Sequence, residues 1–157
     1  SMIPESSFSL NSIASFSEEH VHIWKEPINQ QIALGLLFDL WASSNEGLNP
    51  VDVWQKIISR NATEGFYVGS GLVLPHARVQ GIEKSFLAFG VCPKGFEGVQ
   101  KTKGEQATIM CLLLSPEKDP MIHMYVIKHI AQKLMDAQWK KRILNSLDAF
   151  EVKELLV

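Results

Sequence analysis

Residue types suited to phosphoryl chemistry occur together in one short stretch, which runs Gly69-Ser70-Gly71-Leu72-Val73-Leu74-Pro75-His76-Ala77-Arg78. Glycines allow backbone N–H groups to converge on an anion. A neutral imidazole such as that of His76 can act as a nucleophile, and a guanidinium such as that of Arg78 can pair with phosphate oxygens. The spacing alone leaves two interpretations of His76 open, a functional residue or an ordinary structural histidine.

Other chemistries are less well supported by the sequence. A nucleotide-binding fingerprint would need a third glycine, a following helix and a downstream acid, and no Gly-Lys-Ser/Thr motif occurs. Gly69-Ser70-Gly71 lacks the Gly-x-Ser-x-Gly frame of a serine hydrolase. Cys111 lies among apolar residues, which raise the pKa of a thiol and lower its reactivity. No pair of carboxylates is marked out as a glycosidase would require.

A second candidate is His123, near the start of a helix predicted after Asp119-Pro120. The helix dipole disfavours an imidazolium there, so the ring should stay neutral and exchange hydrogen bonds with another ring or a phosphate. Its helical stripe includes Ile127, Ile130 and Leu134, which would point His123 at the sheet. A partly buried structural histidine is the alternative interpretation.

The remaining histidines are not assigned to the site. His129 lies six residues after His123, roughly 240° around the helix, and we expect it at the surface. His20 and His22 alternate along a predicted strand and could form half of a metal site. No Cys, Asp or Glu group with ligand spacing joins them, so the sequence favours solvated strand histidines and predicts neither a metal nor a cofactor.

Hydrophobic periodicity and Gly/Pro punctuation predict the elements that must position these residues. Strands are expected over 20–24, 68–74, 85–92 and 107–114. Helices are expected over 28–40, with a stripe containing Ile32 and Leu36, and then over 50–60, 119–136, 139–145 and 148–156. The segment 93–106 should be an exposed connection that could form a hairpin. This order predicts an α/β fold, a mixed sheet of about five strands flanked by helices in a single domain.

Composition narrows the functional classes. The chain has 157 residues, 15 Lys+Arg against 17 Asp+Glu, and a formal charge of −2. This length suits one domain, which we expect over residues 8–157, after a tail over 1–7 whose Ser1 resembles a cloning remnant. The near-neutral charge argues against nucleic acid or anionic lipid as a partner. The apolar runs are too short for membrane insertion, and together with two apolar-flanked cysteines they predict a cytoplasmic protein with reduced thiols.

Two segments of the chain resemble the IIA phosphocarrier domain of the mannitol/fructose type, including its nitrogen-regulatory branch, in the bacterial phosphoenolpyruvate-dependent phosphotransferase system. In that family a helix ending in Arg-Glu precedes a Gly-rich loop and a strand closing in Ile-Pro-His. Here the matching segments are Arg60-Asn61, Phe66 to Gly71 and Leu74-Pro75-His76. A later landmark, a strand ending in proline and a helix opening with a second histidine, is similar to Leu112 through His123.

The resemblance covers roughly residues 8 to 156 and implies roles for individual residues. His76 would accept a phosphoryl group from a phosphohistidine carrier protein (HPr or a nitrogen-type homologue), Arg60 would bind the phosphoryl oxygens, and His123 would hydrogen-bond near His76. Further candidates for phosphate contacts are Gly69, Ser70, Gly71 and Arg78. Two departures from the family pattern are Phe66-Tyr67 in place of Thr-Gly and Asn61 in place of Glu.

Three functions remain open from the sequence. The first is a phosphocarrier of the nitrogen-regulatory type, whose phosphorylation state changes which protein it binds. The second is a sugar-specific IIA component that passes phosphate to a IIB protein. The third is a protein-binding regulator that is not phosphorylated.

Overall fold

A computed structural model of the chain describes residues 10–45 and 47–157. The predicted tail over 1–7 and the predicted domain start at residue 8 lie outside the described residues. No helix in the described part of the chain is long and apolar enough to cross a membrane.

The main sheet is mixed and has five strand positions. In the described part of the chain the strands are β1 (Ala14–Ser15), β2 (Val21–Ile23), β3 (Ile28–Asn29), β4 (Tyr67–Gly69), β5 (Leu72–Val73), β6 (His76–Val79), β7 (Ser85–Val91), β8 (Phe96–Glu97) and β9 (Ile109–Pro116). β3 and β8 form a separate two-stranded sheet, and the other seven strands form the main sheet. The order is β1-β7-β9-β5-β4, with β2 beside β7 in line with β1 and β6 beside β9 in line with β5. β7 and β9 pair antiparallel, whereas β5 and β6 run parallel to β9. The predicted mixed α/β sheet is confirmed.

Helices cover both faces of this sheet. They are α1 (Leu10–Ile13), α2 (Gln30–Ala42), α3 (Pro50–Glu64), α4 (Pro120–Leu134), α5 (Ala137–Leu144) and α6 (Ala149–Leu156). Side chains of Asn29, Asn49 and Asp119 accept hydrogen bonds from backbone N–H groups in the first turns of α2, α3 and α4. These caps satisfy donors that a helix start leaves free, so they fix where each helix begins.

Alternation along β9 separates two apolar cores. Ile109, Cys111 and Leu113 face the core that contains α4, α5 and α6. Met110, Leu112 and Leu114 face the core that contains α2 and α3. Because successive strand residues point to opposite faces, the continuous apolar run of β9 is what a sheet covered on both sides requires. Both cysteines are buried and free of disulfide bonds, as predicted.

Several local predictions were wrong. The single strand expected over 68–74 is a tight hairpin of β4 and β5, and β6 was not predicted. The connection 93–106 contributes β8, which pairs in parallel with β3 rather than forming a hairpin of its own. The buried stripe of α2 consists of Ala33, Leu34, Leu37, Phe38 and Trp41. Ile32 and Leu36 are exposed instead, because almost the whole helix is apolar and its periodicity does not single out one face.

Candidate active site

His76 is the first residue of β6, directly after Pro75. Ala77 and Val79 point into the core beneath α2 and α3, so strand alternation directs His76 to the opposite face, toward α4. β6 pairs with β9 alone among the described strands, which leaves its other edge open. The ring is therefore only half-buried and can be reached from solvent.

Hydrogen bonding defines the reactive nitrogen of His76. Nδ1 lies 2.7 Å from the carbonyl oxygen of Leu74, and a carbonyl only accepts, so the proton of the neutral ring belongs on Nδ1. Burial and the positive charge of Arg60 lower the pKa of His76, opposed by the Leu74 hydrogen bond and the carboxylate of Glu64. The ring is thus neutral at neutral pH, with the lone pair of Nε2 free to attack an electrophile.

His123 faces His76 from the first turn of α4. The two ring centroids lie 5.1 Å apart, and the ring planes are tilted by 49°. His123 is only 6% exposed, and its Nδ1 lies 2.8 Å from the hydroxyl oxygen of Ser115. Burial, together with the nearby charges of His76, Arg78 and Arg60, lowers the pKa of His123 to about 4. The prediction of a sheet-facing, neutral histidine at a helix start agrees with this arrangement.

Basic side chains surround the open edge of β6. An open cavity of about 270 Å³ is lined by Lys56, Arg60, His76, Ala77 and Arg78. Lys56 and Arg60 lie four residues apart on one face of α3, and Nζ of Lys56 donates a 3.0 Å hydrogen bond to the carbonyl of Arg78. Nε of Arg60 lies 3.8 Å from a carboxylate oxygen of Glu64 in an exposed ion pair. Such a pair is weak, so Arg60 can turn toward an anion in the cavity.

This arrangement suits a phosphoryl group bound to Nε2 of His76. Three cationic side chains line the cavity beside the nucleophile, and a dianion would neutralise two of their charges. Phosphoryl transfer depends on positioning and electrostatic stabilisation, which such groups supply.

The loop residues Gly69, Ser70 and Gly71 do not reach this cavity. Leu72 pairs with Ile109 and His76 pairs with Leu113, which places Leu72, directly after the loop, about 13 Å from His76 along the sheet at ~3.3 Å per residue. All three loop residues have positive φ, from 54° to 96°. The glycines adopt these φ values readily, so the tight turn alone explains the Gly-Ser-Gly motif without any contact to phosphate.

Neighbouring side chains already hold the backbone of this loop. The hydroxyl of Tyr67 accepts a 3.0 Å hydrogen bond from the N–H of Gly71 and donates to Glu105. Nζ of Lys140 donates a 2.6 Å hydrogen bond to the carbonyl of Ser70. Tyr67, which departs from the family pattern, therefore supplies a hydroxyl that supports the turn.

The other histidines lie away from the cavity. His129, expected at the surface, is half-buried, and its Nε2 lies 3.1 Å from the carbonyl of Leu156. His20 lies in a 3₁₀ turn over Glu18–His20 rather than in the strand, with its ring against Phe86. Across residues 10–45 and 47–157, no three His, Cys, Asp or Glu side chains converge as metal ligands would.

Two residues of the site were not identified from the sequence. Lys56 precedes Arg60 by one helical turn, a spacing that could have identified it once Arg60 was assigned. Ser115 is a polar residue near the end of the otherwise apolar strand β9, eight positions before His123. A serine in a fully buried strand is a signal for a buried hydrogen bond, but it does not name the partner.

Residues 14–157 match the protein family described as phosphoenolpyruvate-dependent sugar phosphotransferase system, EIIA 2. A nitrogen regulatory protein of Bradyrhizobium diazoefficiens is 28% identical over 117 residues, which cover 73% of this chain and 74% of the relative.

Solved structures share the fold at low identity. The nitrogen regulatory protein IIA-Ntr from Neisseria meningitidis superposes with a TM-score of 0.77 at 20% identity, over 90% of this chain and 95% of that protein. Escherichia coli enzyme IIAMtl, solved in complex with phosphorylated enzyme IIBMtl, superposes with a TM-score of 0.72 at 18% identity, over 92% and 98%.

Proposed function

Because the chain belongs to the EIIA 2 family of the phosphoenolpyruvate-dependent sugar phosphotransferase system, we propose that it is a phosphocarrier that accepts a phosphoryl group on Nε2 of His76. The observation that carries the proposal is the free Nε2 of a neutral His76 beside a cavity lined by three cations. The donor is a phosphohistidine carrier protein, HPr or a nitrogen-type homologue.

Transfer follows an in-line path between two imidazole rings. The bond between phosphorus and the donor histidine breaks as the lone pair of Nε2 of His76 forms the new bond. The electron pair of the broken bond stays on the donor ring, which leaves neutral when its other nitrogen carries a proton. The proton on Nδ1 of His76 stays in its hydrogen bond to Leu74. Passing the group to an acceptor reverses these steps.

The basic side chains stabilise the charge that moves in this reaction. Arg60 and Arg78 bind the phosphoryl oxygens, while Lys56 adds a third positive charge at the rim of the cavity. These groups line the cavity before the donor arrives, and Arg60 has to leave only a weak, exposed ion pair with Glu64, so the reorganisation that transfer requires is small. The exposed Met121 and Met124, on either side of His123 in the chain, supply apolar contacts for the docking protein.

The nitrogen-regulatory type is the preferred assignment of the role. It is favoured by the relative from Bradyrhizobium diazoefficiens and the structure from Neisseria meningitidis, which both carry that name. A sugar-specific component that passes phosphate to a IIB protein is the second candidate, favoured by the structure of IIAMtl with phosphorylated IIBMtl.

Phosphorylation is tested directly with the purified protein. Incubation with phosphorylated carrier protein should give an acid-labile phosphohistidine in the wild type and in His22→Ala, whose exposed ring lies on β2. The His76→Ala variant should give none. Failure of the wild type to become phosphorylated by several cognate carriers would contradict the proposal.

The two candidate roles differ in the partner. Pull-downs with the wild type and a His76→Asp variant, which places a negative charge at the site, compare the proteins bound in each state. Capture of mainly a IIB protein would support sugar transport, whereas charge-dependent capture of other proteins would support regulation.

A further inference from the structure

Ser115 is a buried polar residue within an otherwise apolar strand. It is 0% exposed, and its position on β9 has the same parity as Ile109, Cys111 and Leu113, which face the core containing α4. Strand alternation therefore points its side chain at α4, where its hydroxyl oxygen lies 2.8 Å from Nδ1 of His123. A hydroxyl buried in this way is costly unless it is hydrogen-bonded, so this contact explains how a serine is tolerated here.

Proton accounting gives the direction of this hydrogen bond. In the described part of the chain, Nδ1 of His123 is the one partner of the Ser115 hydroxyl. If Nδ1 carried the proton and donated it, the hydroxyl hydrogen would lie in an apolar core with no acceptor. If the hydroxyl of Ser115 donates instead, its hydrogen is bonded to Nδ1 of His123 and no donor in this contact is left without an acceptor. The O–H of Ser115 therefore donates to an unprotonated Nδ1.

This direction determines the tautomer of His123. The pKa of His123, lowered to about 4, keeps the ring neutral at physiological pH, so it carries one proton. With Nδ1 accepting from Ser115, that proton lies on Nε2. His76 is held in the opposite tautomer, because its Nδ1 donates to Leu74 and its Nε2 is bare. The ring pair at 5.1 Å thus combines one donor nitrogen with one acceptor nitrogen.

We propose that Ser115 is a positioning residue that fixes His123 as the Nε2–H tautomer, so that His123 donates a hydrogen bond to His76 or to the phosphoryl group it carries. This inference rests on the proposed phosphocarrier function only for its consequence in transfer. The tautomer itself is a property of the unphosphorylated protein. Without the hydroxyl, His123 would divide between two tautomers, one of which presents a lone pair to a dianion.

The tautomer is measured on ¹⁵N-labelled, unphosphorylated protein near neutral pH. Long-range ¹H–¹⁵N correlation spectra should show Nε2 of His123 protonated in the wild type and a mixture of tautomers in Ser115→Ala. Ser115→Thr, which keeps a hydroxyl, should restore the wild-type pattern. Ser85→Ala is the matched control, because Ser85 is equally buried on β7 and its hydroxyl has no partner among the described residues.

A proton on Nδ1 of His123 in the wild type, or an unchanged pattern in Ser115→Ala, would overturn the inference. Phosphoryl transfer gives the second measurement. Loss of one hydrogen bond to a charged group should lower the transfer rate of Ser115→Ala about tenfold. Adding Ser115→Ala to His123→Ala should cause no further loss, since Ser115 acts through that ring. If His76 is never phosphorylated, the phosphocarrier function fails while the tautomer result stands.

Discussion

Acid should destabilise this protein through His123, and replacing His123 with Gln should remove that sensitivity. Burial, followed by the charges of His76, Arg78 and Arg60, lowers the pKa of the folded-state ring from 6.5 to about 4. Below about pH 6.5 the His123 ring binds a proton in the unfolded chain but not in the folded protein. The free energy of unfolding therefore falls as the pH drops from 6.5 toward 4, and this contribution levels off below the folded-state pKa.

The size of the effect follows from the two pKa values. The difference, 6.5 minus about 4, is about 2.5 units, which corresponds to a limit of about 3.5 kcal/mol at ~1.4 kcal/mol per unit. At about pH 4.5 the native ring begins to protonate, so the loss relative to about pH 7 is about 2 kcal/mol. The ring is 6% exposed, so solvent screening reduces this value little.

Urea unfolding at about pH 7 and about pH 4.5 measures the effect. The acid-induced loss of stability should be smaller in His123→Gln than in the wild type by about 2 kcal/mol. Burial also lowers the pKa of the more exposed His22, so His22→Gln should change the acid-induced loss in the same direction but by less than His123→Gln. Equal acid-induced losses in the wild type and in His123→Gln would refute the argument that burial keeps this ring neutral.

Three other substitutions separate the roles of the site and its surroundings. Arg60→Ala should slow phosphoryl transfer about 10- to 100-fold, with the melting temperature nearly unchanged because its ion pair with Glu64 is exposed. Lys56→Gln should slow phosphoryl transfer and make the transfer rate less dependent on ionic strength, as measured across a salt series. An unaltered salt dependence would show that Lys56 does not act on the phosphoryl group. Gly71→Ala should cost about 1–3 kcal/mol in urea unfolding, because φ is +82° and the added Cβ would lie 3.1 Å from Thr108 Oγ1. Phosphoryl transfer by this variant should be retained. A loss of transfer without a loss of stability would show that the loop contacts the phosphoryl group.

The sequence located the two histidines of the site better than it located the backbone between them. The prediction for His123 depended on a helix start and a helical stripe, which are local features. The prediction that Gly69, Ser70 and Gly71 lie near phosphate treated closeness in sequence as closeness in space. Extended backbone defeats that inference, because Leu72 and His76 pair with residues of β9 that are four positions, or about 13 Å, apart.

Pairing between distant segments is the other feature that local patterns did not reveal. β6 is four residues long and depends on β9, more than 30 positions later, for its hydrogen bonds. β8 is two residues long and pairs with β3. Neither strand has a periodicity long enough to identify it alone. The role of Ser115 also depends on a distant segment, since its partner, His123, lies on α4 and comes close only when that helix packs on the sheet.

The open edge of β6 has a consequence for solubility. A strand with unpaired N–H and C=O groups can recruit a strand from another molecule, and natural proteins resist this with charged side chains, above all lysine. Here the amine of Lys56 donates a hydrogen bond to the carbonyl oxygen of Arg78 on that edge, and the Arg78 side chain is exposed. The positive charges that line the cavity should therefore also oppose the pairing of two copies of the chain along this edge.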